Sequence, residues 1–202
     1  MNVVEIEVKP RDARDWIVRW LGAGHFISKA VLANAPVGHG HFRTCITKEA
    51  ASKPLPDFER GWVANSKDVD IWLAGVLDDL TLQGAKCVIV EDDLSSPSNP
   101  RLITDPTPTA FIHDRVFSWS DINPGDGLMA IKRVMGVGSG YPRNAFVTTH
   151  SAAELGFVHG TQAPEEFPRK VAESLLAVMV AIFDAETFLV WTPDDHDSSD
   201  EM

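Results

Sequence analysis

Cysteine is scarce in this 202-residue chain: Cys45 and Cys87 are the only two, and both sit inside apolar runs. A pair so placed makes no disulfide framework of the kind that staples small secreted domains, and reads instead as two reduced, core-filling thiols. Long hydrophobic runs are missing as well. The longest, Leu175 to Phe183, has nine residues, whereas a membrane-spanning helix needs about twenty. Met1 to Val8 alternates apolar side chains with carboxylates, where an export signal needs positive charge followed by an apolar stretch. These absences set the expectation of a cytoplasmic protein with no membrane partner.

Positive charge is in short supply too. Eighteen Lys and Arg face twenty-nine Asp and Glu, for a net charge of −11, and a nucleic-acid backbone is repelled by such a surface. The imbalance is uneven: residues 1 to 60 carry +2 and residues 61 to 202 carry −13. A field of that sign attracts cationic partners. Five of the carboxylates fall in residues 193 to 202, where Met202 is the one large apolar side chain; such a segment cannot offset its own ordering entropy. The expected organisation is a single domain over residues 1–192 and a disordered acidic tail over residues 193–202.

Familiar catalytic signatures are also lacking. Neither Gly-x-Ser-x-Gly nor a lysine-containing phosphate loop occurs in a fitting context. Gly136, Gly138 and Gly140 follow a helical pattern and precede a strand, the reverse of a phosphate cradle, so they read as a turn. His39 and His41 with Cys45 lack the fourth ligand that zinc requires.

What is present is a regular alternation of strand and helix patterns. Val4, Ile6 and Val8 alternate with Glu5 and Glu7, the period-two mark of a strand near a sheet edge. Asp12 opens a helical stripe of Trp16, Ile17, Trp20 and Leu21; Phe26 to Leu32 is a second short helix, and His41 to Lys48 is extended. Ser66 opens an amphipathic helix with Val69, Trp72, Leu73, Val76, Leu77 and Leu80 inward, which Gly84 ends. Cys87 to Val90 is a continuous apolar run, as expected of a central strand buried on both faces. Residues 94 to 108 are rich in proline and read as a loop or lid. Ala110 to Trp119 is a strand, and Asn123-Pro124 starts a helix with Leu128, Ile131, Val134 and Met135 inward. Ala145 to Thr149 is a further buried strand; Pro168 to Phe183 reads as a helix, and Thr187 to Trp191 as a final strand in the middle of the domain. Strands alternating with helices predict an α/β fold with a mostly parallel mixed sheet flanked by helices, three-layered and Rossmann-like or flavodoxin-like in general architecture.

In such folds function gathers where loops leave the carboxyl ends of the strands. Two segments stand there. Glu91, Asp92 and Asp93 follow the 87–90 strand; crowded carboxylates call for a hard cation, a basic partner or raised pKa values, which makes all three candidate catalytic groups and Asp92 and Asp93 candidate ligands for magnesium or another divalent ion. Thr149 and His150 follow the 145–149 strand, His150 as a candidate base or metal ligand and Thr149 as a binding hydroxyl. Asp121 and Asp126 are further binding candidates. Trp62, in a loop, and Trp119, near a strand end, are candidate interface anchors.

The strings Val88-Ile-Val-Glu-Asp-Asp93, Asp121-Ile-Asn-Pro-Gly-Asp-Gly127 and Val147-Thr-Thr-His-Ser151 resemble the acidic pocket, phosphoacceptor loop and switch-threonine strand of response-regulator receiver domains. The resemblance covers residues 88 to 160. It implies magnesium on Asp92 and Asp93, phosphate accepted by Asp121, and a switch hydroxyl at Thr148 or Thr149. Gly160 and Thr161 stand where that family has its lysine, and a proline-rich segment follows Asp93 where it has a helix.

Two functional expectations result. One is a non-enzymatic interaction protein, a regulator or inhibitor of a basic protein partner that requires no cofactor. The other is a metal-assisted hydrolase or phosphoryl-transfer enzyme joining Glu91, Asp92, Asp93 and His150 across the sheet top. The first is favoured, because only half of a convergent catalytic set can be assembled from the sequence.

Overall fold

A computed structural model describes residues 3–8, 26–34, 40–47, 66–92, 116–122, 143–158, 163–182 and 187–193. Apolar runs bounded by turn residues become seven strands: β1 (Val3–Val8), β2 (His41–Thr47), β3 (Cys87–Asp92), β4 (Val116–Ser118), β5 (Arg143–Thr148), β6 (Leu175–Ile182) and β7 (Thr187–Thr192). The helices are α1 (Phe26–Asn34), α2 (Ser66–Leu82), α3 (Trp119–Ile122) and α4 (Phe167–Glu173). The strands form one sheet in the order β1-β2-β7-β6-β5-β3-β4, with β1 at an edge and β7 interior.

Every neighbouring pair in that sheet is antiparallel, which overturns the expectation of a mostly parallel, Rossmann-like sheet. The reason lies in what a continuous apolar run reports. Cys87, Val88, Ile89 and Val90 are all buried, and side chains alternate between the two faces of a strand. Val88 and Val90 pack with Val69, Leu73, Val76, Leu77 and Leu80 of α2. Cys87 and Ile89 pack with Ile27 and Val31 of α1 and with Phe167 and Val171 of α4. The run thus records helices on both faces, a property commonest in parallel sheets but independent of strand direction.

The second correction concerns residues 168 to 183. The helix α4 ends at Glu173, where Ser174 N–H still donates to the Lys170 carbonyl, and Leu175–Ile182 is a strand between β5 and β7. An unbroken apolar octet fits a buried helix or a buried strand equally, and the available ladder partners decided between them.

Local punctuation acts as its residues dictate at the end of α2. Gly84 has φ +90, Gly84 N–H donates to Thr81 O and Ala85 N–H to Leu80 O, both at 3.0 Å. This is a Schellman cap, in which a left-handed glycine lets the chain leave the helix with its last carbonyls satisfied. Lys86 N–H then donates to Thr148 O at 2.9 Å, delivering the chain into β3. No helix among the described residues is long and apolar enough to cross a membrane. The helix patterns expected over 12–21 and 124–135, the 94–108 lid, and the acidic tail beyond Pro193 lie outside the described residues, as do Trp62, Asp93 and Asp126.

Candidate functional site

The pairing of β3 with β5 decides where the expected site residues go. Cys87 stands opposite Thr148, Glu91 opposite Asn144 and Asp92 opposite Arg143. Glu91 therefore lies at the start of β5 and His150 beyond its end. Asn144 and Thr148 alone are about 13 Å apart along a strand rising ~3.3 Å per residue. Glu91 and Asp92 therefore do not share a rim with His150, and the expected side-by-side parallel arrangement of the two strands gives way to an antiparallel one.

At the first end, Glu91 organises a helix start. Its Oε1 accepts Ile27 N–H at 3.0 Å and its Oε2 accepts Ser28 N–H at 3.1 Å. Ser28 Oγ also donates to Oε2, and Asn144 Nδ2 donates to Ser28 Oγ at 3.3 Å. A carboxylate on the first N–H groups of α1 meets both the unsatisfied donors and the positive end of the helix dipole. Ser28 and Asn144 are buried, so the group is a polar clamp between α1, β3 and β5. Nothing local in the sequence announces it, since Ser28 and Glu91 are 63 residues apart.

At the other end, the string after β5 forms a tight turn. Thr148 Oγ1 donates to the His150 carbonyl at 2.7 Å, and Thr149 N–H donates to Ser174 O at 2.9 Å. Ser151 N–H and Oγ both reach Glu154 Oε2, at 2.7 and 2.8 Å, while Glu154 N–H donates back to Ser151 Oγ at 3.3 Å. Ser151-x-x-Glu154 is a capping box, a signal present in the sequence and overlooked beside the neighbouring histidine. The Ser151 hydrogen bonds, helped by Lys86 Nζ at 3.3 Å, hold the Glu154 carboxyl down at about 2. His150 itself is exposed. On the adjoining strand, burial pushes the Cys87 thiol up to about 12, so it stays a protonated core group.

Beside this turn a solvent-open cleft of about 580 Å³ is lined by Thr81, Ala85, Lys86, Ser118, Trp119, Ser120 and Ser151. Its polar groups largely satisfy one another. Trp119 Nε1 donates to Thr81 Oγ1 at 3.0 Å, the Ser118 and Ser120 hydroxyls share a 2.7 Å bond, and Lys86 faces Glu154. Trp119 is only 4% exposed, so its ring is part of the core under α2 and is spent there, not held out as an anchor. Asp121, two residues further on, is exposed on α3.

Among the described residues, no three His, Cys, Asp or Glu side chains gather in a way that could hold a metal ion. Of the two proposed ligands, Asp92 is described only through its main chain, which ends β3, and Asp93 lies outside.

The outer face of α2 is the remaining distinctive surface. Ile71, Gly75, Asp78 and Leu82 follow one another at i, i+4, i+7 and i+11, a single row on the side away from the sheet, and all are exposed. Ile71 is 49% exposed and Leu82 87%. Asp68 and Asp79 border the row, Asp79 at 3.3 Å from Arg43. The helix holds four aspartates and one lysine, Lys67. No family model, no curated protein and no solved structure matches this chain.

Proposed function

We propose that this chain is a non-catalytic binding protein that engages a basic protein partner and requires no cofactor. The observation that carries this reading is the outer face of α2, where two large apolar side chains and an aspartate share one exposed row within an acidic helix. Apolar groups supply the area that drives association, and the carboxylates select a cationic partner. The two best-placed carboxylates elsewhere support the same reading: Glu91 and Glu154 are each engaged by main-chain N–H groups and hold the fold together.

The test compares two variants of equal charge. Replacing Asp68, Asp78 and Asp79 by Asn removes charge from α2, and replacing Glu165, Glu166 and Glu173 by Gln removes as much from the exposed surface around α4. Binding of a fluorescent Lys/Leu peptide is followed by anisotropy at low and high salt. The α2 variant is expected to bind about tenfold more weakly, a difference of roughly 1.4 kcal/mol, and the α4 variant nearly as well as the parent chain. Equal losses in both would reduce the effect to net charge and defeat the proposal.

A further inference from the structure

We draw no further inference here: the strongest candidate, the solvent-open cleft between the end of α2 and the Ser118–Ser120 segment, carries nothing because its Thr81, Lys86, Ser118, Trp119, Ser120 and Ser151 groups are already bonded within the chain and nothing in the structure shows what occupies it.

Discussion

The Glu91 carboxylate accepts the main-chain N–H of Ser28 at 3.1 Å across 63 residues of sequence. Ser28 in turn accepts a 3.3 Å hydrogen bond from Asn144. One carboxylate therefore ties the start of α1 to the adjacent strands β3 and β5, and it does so at the end of β3 remote from His150.

Glu91→Gln is expected to destabilise the fold by about 1–3 kcal/mol, because an amide cannot accept at both oxygen positions and leaves a partly buried N–H without a partner. Urea unfolding measures this directly. A loss under about 0.5 kcal/mol, within the range of ordinary surface changes, would show that the α1 start does not depend on Glu91.

Gly40→Ala and Gly75→Ala should have opposite signs. Gly40 has φ +141, and a Cβ there would stand 2.5 Å from Thr192 O and 2.5 Å from Trp191 Nε1; backbone strain and overpacking each cost about 1–3 kcal/mol. Gly75 lies mid-helix in open space, where alanine is better by about 0.5–1 kcal/mol. Thermal unfolding of the two variants reads both. Equal midpoints would contradict the close approach of Gly40 to β7.

The Ser151–Glu154 capping box is expected to show itself in acid. Glu154 has its folded value lowered from 4.5 to about 2 by the Ser151 bonds. Its stabilising contribution is therefore fully present above pH 4.5 and is lost as the pH falls through about 2. A carboxyl NMR titration should place Glu154 well below its ordinary 4.5, and Ser151→Ala should move it back up. Normal titration in the parent chain would mean that the turn is not capped this way in solution.

The parts of the fold legible in the sequence are those with local causes. Alternating Val4, Ile6 and Val8 mark β1, the inward stripe from Val69 to Leu80 marks α2, and Gly84 marks its end. The polar clamp at Ser28, Glu91 and Asn144 was invisible, since its members are distant in the chain and none belongs to a spaced motif. The sequence also suggested a site shared with His150, from which the register of β3 against β5 places Glu91 and Asp92 at the opposite end of the strand pair.

By itself the sequence determined the alternation of β1, the inward stripe of α2 and the glycine that ends it, the buried apolar runs of β3 and β5, and that the molecule carries a large negative charge. Hydrophobic burial and turn chemistry act on each residue and its near neighbours, so they can be read in one dimension. Strand direction and the strand fate of Leu175–Ile182 were settled only by tertiary structure. Burial energy depends on the area a side chain removes from water, which is the same whichever way the adjoining strand runs. Choosing among the orientations falls to the connections and ladder partners, which exist only once the chain has come together.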